Sequence, residues 1–295
     1  MKVFVTGVKG QLGFDVVNEL KKRGHKAIGV DIDEMDITKE EEVQTVIKNI
    51  KPDAVIHCAA WTAVDAAEDE ENREKVYLVN AVGTSYIAKV CKELDCKMLY
   101  LSTDYVFDGE GKTAWLPDCK NYQPLNVYGN SKLEGEKAVS SLLAKFFIVR
   151  IAWVFGINGN NFIKTMLRIG KNHDILTVVK DQIGTPTYTY DLARLLVDMI
   201  ETEKYGYYHA TNEGGYISWY TFAIEIFRQA SLLGHEEYDE NHLTVKPVTT
   251  KEYGISKAKR PFNSRLDKNK LTENGFTPLP TWQDALKRYL NEIEC

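Results

Sequence analysis

Lys2-Val3-Phe4-Val5-Thr6-Gly7-Val8-Lys9-Gly10-Gln11-Leu12-Gly13 decides how the rest of the chain is read. The first five residues, with the apolar run Val3-Phe4-Val5 at their centre, have the look of a buried strand. Gly7, Gly10 and Gly13 follow at once in a G-x-x-G-x-x-G spacing, and an amphipathic helix runs on through about Arg23. Glycine permits a tight turn and a close backbone approach to phosphate, and the free N–H groups of a helix start attract an anion. Between a first strand and a first helix the spacing signals a dinucleotide site. The alternative is a tight strand–helix turn that holds no ligand.

Outward from this stretch, strand and helix alternate. Lys26–Val30 reads as a second strand ending at Asp31, 39–49 as a helix broken off by Pro52, and 53–60 as a third strand. A helical stretch then reaches about Leu94, and 97–103 is a fourth strand. A helix carrying Tyr128 follows, then a strand over 146–151. Alternation of this kind predicts an α/β fold, a doubly wound parallel sheet (Rossmann-like) with right-handed crossovers. A smaller α/β substrate-binding lobe would complete it. The expected division is 1–152 for the dinucleotide-binding domain, with about 176–204 added to it, and 153–175 plus 205–295 for the lobe. Within the second half, 175–179 reads as a strand, and 190–201 and 218–232 as helices. Thr281 and Asp284 form a capping-box pattern after Pro280. Trp282, Ala285, Leu286, Tyr289, Leu290 and Ile293 then mark an apolar stripe at helical spacing.

Composition narrows the classes of function. The 295 residues are 44% hydrophobic and 27% charged, as in an ordinary globular protein. A net charge of -5 gives nucleic-acid binding no electrostatic support. No apolar run approaches the ~20 residues of a membrane span. MKVFVTGVKG lacks the layout of a signal peptide. Cysteines 58, 91, 96, 119 and 295 form no CxxC pair, which fits a reduced cytosol and a cytoplasmic location. The six histidines are scattered, so no metal site is expected.

The cofactor set follows from the sheet. Asp31, 18 residues past Gly13, ends the second strand, where it can bond ribose hydroxyls and repel a 2′-phosphate. That favours NADH. Lys9 could offset it or be a solvated loop residue, so NADPH or NADH is the expected cofactor. Asp36 and Ile37 flank an adenine or, alternatively, form the turn that starts the next helix at Thr38. Ala59 and Ala60 are small enough for a cofactor to pass or for close sheet packing. Gln11, Leu12 and Thr62 complete the set.

Tyr128 and Lys132 lie one helical turn apart on one face. A lysine ammonium beside a phenol favours the phenolate, so a lowered Tyr128 pKa is expected. Thr103, just after the fourth strand, is placed where doubly wound sheets bind ligands and can bond a substrate carbonyl. Strand, Thr, helix and Y-x-x-x-K in this order point to Thr103, Tyr128 and Lys132 as the catalytic set, with hydride supplied by a nicotinamide.

TGVKGQLG, STDYVF and YGNSK resemble the extended short-chain dehydrogenase/reductase family. AAWTAVDAAE (59–68), PLNVYGNSKLEGEK (124–137), RIAWVFG (150–156), NNFIKTML (160–167), DQIGTPT (181–187) and RPFNSRL (260–266) narrow it. Together, over nearly the whole length, they resemble the dTDP-4-dehydrorhamnose reductases. The resemblance implies reduction of the C4 ketone of a dTDP-sugar, with Tyr128 as the acid and Lys132 also on the nicotinamide ribose. It implies that Thr103, Asp104, Tyr128 and Trp153 meet the sugar, that Val64 lines the substrate pocket beside the nicotinamide, and that Asn161, Gln182 and Arg260 meet the nucleotide or diphosphate. Val64 reads equally as an apolar helix-start residue and Trp153 as an interior aromatic. For Asn161, Gln182 and Arg260 a structural hydrogen bond is an equal reading. Trp61 departs from the family's usual smaller or different ring residue. Dimers with magnesium occur in some members, but no acidic cluster here requires that site, and a homodimer stays an open expectation. A sugar-nucleotide dehydratase would want T-D-E where this chain has Thr103-Asp104-Tyr105. The same fold could also serve an epimerase-type enzyme or a non-catalytic cofactor-binding subunit.

Overall fold

The computed structural model describes residues 1–293. Cys295, one of the five cysteines, lies outside them. Strands β1 (Lys2–Thr6), β3 (Ala54–His57), β4 (Lys97–Thr103) and β5 (Phe146–Ile151) are apolar on both faces and nearly wholly buried. A parallel strand covered by helices on both sides needs that pattern. With β2 (Lys26–Val30) and Gly206–His209 they form one six-stranded sheet, in the order Gly206–His209, β5, β4, β3, β1, β2. Every pairing is parallel. The chain turns from β1 to β2 on one side and then to β3 on the other, so strand order reverses at β1. In doubly wound sheets that reversal opens a crevice at the strand C-termini.

Helix α1 (Gln11–Lys22) and the helix Thr189–Ile200 cover one face, where Leu12, Val16 and Leu20 share a core with Leu192, Leu196 and Met199. On the other face lie α2 (Glu40–Ile50), α4 (Thr84–Leu94) and α5 (Val127–Leu142), packed through Val43, Ile47, Ile87 and Val139 onto Phe4, Val55 and Tyr100. A further helix, α3 (Glu70–Tyr77), runs into α4 through a wide π turn at Leu78–Gly83. The helices Phe162–Gly170, Trp219–Leu232 and Trp282–Glu292 build a second core in the smaller lobe, and the predicted Trp282-to-Leu290 stripe lies in it.

Three expectations change. Gly206–His209 was placed in the lobe with the rest of 205–295, yet it pairs with β5 as the edge of the main sheet. Four residues, GYYH, are too short a run to announce a strand. The 176–204 addition is split. Thr189–Ile200 packs on α1, whereas Ile175–Val179 pairs with Thr244–Val248 in the lobe. At the last helix Thr281 caps Asp284 N, but the Asp284 carboxylate binds Arg288 Nε at 2.8 Å in place of returning to the cap. Aspartate is one methylene shorter than the Glu or Gln of a capping box.

Candidate active site

The glycine loop is set by space. Gly7 has φ +71°, and a Cβ there would lie 2.7 Å from the Ala59 nitrogen. A Cβ on Gly13 would lie 2.2 Å from the Gly7 carbonyl oxygen. Hydrogen alone fits at both, so the loop folds tightly between β1, α1 and the end of β3. At the end of β2, Asp31 accepts the Lys9 N–H on Oδ2 and the Ile32 N–H on Oδ1, both at 2.9 Å. The Lys9 ammonium pairs with Asp33. Asp36 accepts the Thr38 N–H and hydroxyl at 3.0 and 2.7 Å, so it forms the helix-start turn while also lining the cleft.

At the end of β4, Thr103 caps the following turn by accepting the Tyr105 N–H at 3.2 Å. It donates its hydroxyl to Asp104 Oδ1 at 3.1 Å. The second Asp104 oxygen is buried with no hydrogen-bond partner, and burial pushes this carboxyl up to about 6. Asn126 caps α5 through the Gly129 N–H at 2.7 Å and so fixes the helix that carries Tyr128 and Lys132. The Tyr105 ring packs edge-on against Tyr128 with centroids 5.7 Å apart.

The expected lowering of the Tyr128 pKa is reversed. Burial pushes the phenol well above its ordinary value, and only its hydrogen bond with Thr103 works the other way. The lysine is moved instead. Burial pulls Lys132 down to about 7, opposed by Glu136, and its ammonium lies 4.2 Å from the Tyr100 ring centroid. Desolvation of two groups in one buried face outweighs their mutual effect. Tyr128 is therefore protonated at neutral pH.

These groups share one cleft of about 940 Å³ at the point where the sheet order reverses. All thirteen residues expected to meet the cofactor line it: Gly7, Gly10, Gln11, Leu12, Gly13, Asp31, Asp36, Ile37, Ala59, Ala60, Thr62, Tyr128 and Lys132. Val64, Thr103, Asp104 and Trp153 line it as well.

A family model described as the RmlD substrate binding domain matches residues 1–295. The chain belongs to this family. It is 42% identical over 97% of its length to a dTDP-4-dehydrorhamnose reductase of Aggregatibacter actinomycetemcomitans, also covering 97% of that protein. A dTDP-4-keto-6-deoxy-D-glucose reductase of Streptomyces niveus is 35% identical, with 96% and 94% covered. Among solved structures, the dTDP-4-dehydrorhamnose reductase of Bacillus anthracis in complex with NADP superposes with a TM-score of 0.91 at 40% identity, covering 99% of this chain and 100% of that one.

Three residues expected to meet substrate are not on the cleft wall of this RmlD-family chain. Asn161 caps Phe162–Gly170 by accepting the Lys164 N–H, and its amide N–H groups bond Gln11 Oε1, Gly156 O and Tyr289 Oη. Gln182 donates to Thr250 Oγ1 at 3.1 Å. Arg260 binds Asp65 Oδ2 at 2.6 Å and donates to the hydroxyl of the cleft-lining Tyr105 at 3.3 Å. Each makes at least one side-chain hydrogen bond within the protein. Sequence reading missed two lining aromatics, Tyr105 and Trp219. Trp219 follows the helix cap Ser218, a position where an apolar residue signals only core packing. It also missed a buried chain in which Thr6 Oγ1 and Thr84 Oγ1 flank the two nitrogens of His57 at 2.7 and 3.0 Å. Burial holds that imidazole neutral, down to about 3. Among the described residues no group of three or more His, Cys, Asp or Glu side chains is arranged to hold a metal ion, and no helix is long and apolar enough to cross a membrane.

Proposed function

We propose that this chain reduces the C4 ketone of dTDP-4-dehydro-L-rhamnose to dTDP-L-rhamnose at the expense of NADPH or NADH. One observation carries the reading: a single cleft gathers the glycine cradle, Asp31, Thr103, Tyr128 and Lys132, in a chain related over its whole length to reductases of this activity.

The cradle fits a dinucleotide, because Gly7 and Gly13 leave no room for a Cβ and the start of α1 faces the cleft. Asp31 would hold the adenosine ribose, and Lys132 the nicotinamide ribose. When bound, the reduced nicotinamide supplies the hydride that C4 receives. The chain's own residues supply the rest. The Thr103 hydroxyl turns from Asp104 Oδ1 to donate to the C4 oxygen and orients it. Tyr128, kept neutral by burial, gives that oxygen its proton. The Lys132 ammonium lowers the cost of the phenolate left behind. Asp104, whose second oxygen lacks a partner, accepts a sugar hydroxyl. Trp153 presents its indole to the deoxysugar.

In this reading the six-stranded sheet with α1–α5 and Thr189–Ile200 binds the dinucleotide, and the smaller lobe covers the nucleotide-sugar. The reaction belongs in the cytoplasm, which also suits the free thiols of Cys58, Cys91, Cys96 and Cys119. A homodimer is part of the same reading and is tested by light scattering. The activity is tested by mixing purified protein with dTDP-4-dehydro-L-rhamnose and either cofactor. NAD(P)H absorbance should fall as dTDP-L-rhamnose appears by NMR. No turnover with either cofactor would sink the proposal.

A further inference from the structure

We propose that Glu136 is a positioning residue for the proton-transfer pair: gripped by Arg150 and Ser102, its carboxylate keeps Lys132, one turn earlier on α5, in the ammonium form. The inference rests on the roles given above to Tyr128 and Lys132.

The Glu136–Arg150 pair is the most deeply buried ion pair of the described residues, with side chains 1% and 0% exposed. Arg150 Nε donates to Oε1 at 2.8 Å and Nη2 to Oε2 at 2.7 Å. The Ser102 hydroxyl donates to Oε1 as well. Arg150 is in turn held by the Pro117 carbonyl at 3.0 Å and the Tyr122 hydroxyl at 2.9 Å. Burying such a pair costs desolvation that an apolar pair of the same volume would avoid, so stability alone is a weak reason for it. Its location supplies another. Ser102 adjoins Thr103 on β4, so the clamp ties the strand of the carbonyl-binding hydroxyl to the helix of Tyr128 and Lys132.

Charge makes the link specific. Around Lys132 stand Tyr128 and Glu136 from α5, Tyr100 from β4, and His57 and Cys58 from the end of β3. Behind Glu136 stand Arg150, Tyr122 and His209. Burial keeps His57 and Cys58 neutral, at about 3 and about 12, and raises both tyrosines. Glu136 is thus the one anion among these neighbours. Its carboxylate is committed to Arg150, so it acts on the lysine through the low-dielectric interior and not by direct pairing.

The test reads Lys132 directly, by ¹³Cε-lysine NMR titration of the full chain without cofactor, the signal assigned with Lys132→Met. Glu136→Gln should lower the Lys132 midpoint by about one pH unit or more, as loss of a near opposite charge does. The alkaline fall in kcat/KM should move down by the same amount. Because Glu136→Gln strands the Arg150 charge and can unfold the chain, Glu136→Gln/Arg150→Met, which buries no unpaired charge, is the second variant. It should move the midpoint in the same direction. An unmoved midpoint in whichever variant folds overturns the proposal, even where the parent chain turns over normally. A parent chain without turnover overturns the functional reading instead, and leaves the titration interpretable.

Discussion

The indole of Trp153 lies face to face on that of Trp219, ring centroids 3.7 Å apart and planes within 15°. Trp153 follows β5 with a left-handed backbone, φ +52°, while Trp219 begins the lobe helix Trp219–Leu232. The stack therefore joins the two parts of the molecule at the cleft. An aromatic pair contributes about 0.5–1.5 kcal/mol beyond its buried area. Trp219→Ala should release the Trp153 ring and raise KM for the nucleotide-sugar by roughly threefold to tenfold, in line with that energy. The dissociation constant for NADP⁺ should change by less than about twofold, since the glycine loop is untouched. Steady-state kinetics with a parallel binding titration separate the two. A change confined to cofactor binding would mean the stack does not shape the sugar site.

Tyr128→Phe removes the proposed proton donor and its hydrogen bond with Thr103, while the ring still packs against Tyr105. A positioned acid contributes about 10²–10⁴ in rate. kcat should fall by that order, with NADP⁺ affinity unchanged. Activity that survives the change would assign the proton to another group.

The sheet and its cofactor edge were legible because both rest on local rules. The apolar Val3-Phe4-Val5, followed by Thr6 and Gly7, marks a strand and a tight turn, and Asp31 then falls at the end of β2, beside the loop. Tyr128 and Lys132 were legible through helical spacing. The direction of their titration was not, since it depends on burial under side chains of another element, Tyr100 on β4 and Tyr105 in the turn after it. Asn161, Gln182 and Arg260 show the same limit. Each carries groups suited to a nucleotide, yet each is engaged by a partner far along the sequence, 128 residues away for Tyr289 and 195 for Asp65. Strand Gly206–His209 was hidden because four residues give no periodicity.

Asp104 gives the chain a pH signature. Its carboxyl is raised from 3.8 to about 6 by burial, with the nearby hydroxyls of Ser264 and Thr103 in partial opposition. Between those values the folded state holds a proton that the unfolded chain has released. This contribution to stability is complete below about pH 4 and is lost as pH rises through about 6. Asp104→Asn removes the titration. Relative to the variant, the parent chain should lose stability between about pH 4 and 6, by on the order of 1–3 kcal/mol. Urea unfolding at several pH values measures it. Parallel curves for parent and variant would place the Asp104 carboxyl in contact with solvent.

Cofactor choice turns on Asp31 and Lys9. The Asp31 carboxylate is held at the end of β2 by two backbone N–H groups, one of them from Lys9. Its charge opposes a 2′-phosphate and its oxygens suit free ribose hydroxyls. The Lys9 ammonium is paired with Asp33, but both side chains are exposed, and such a pair is worth at most about 1 kcal/mol. Lys9 is thus free to turn to a phosphate at small cost. Asp31→Ser should weaken NAD⁺ and strengthen NADP⁺, moving their affinity ratio by about tenfold or more, since hydrogen bonds to a charged group contribute about 1.5–3 kcal/mol. Lys9→Ala should move the ratio the other way by weakening NADP⁺ alone. Calorimetric titration of both cofactors against the three proteins supplies the ratios. If Asp31→Ser leaves the ratio unchanged, the carboxylate serves only to brace the glycine loop.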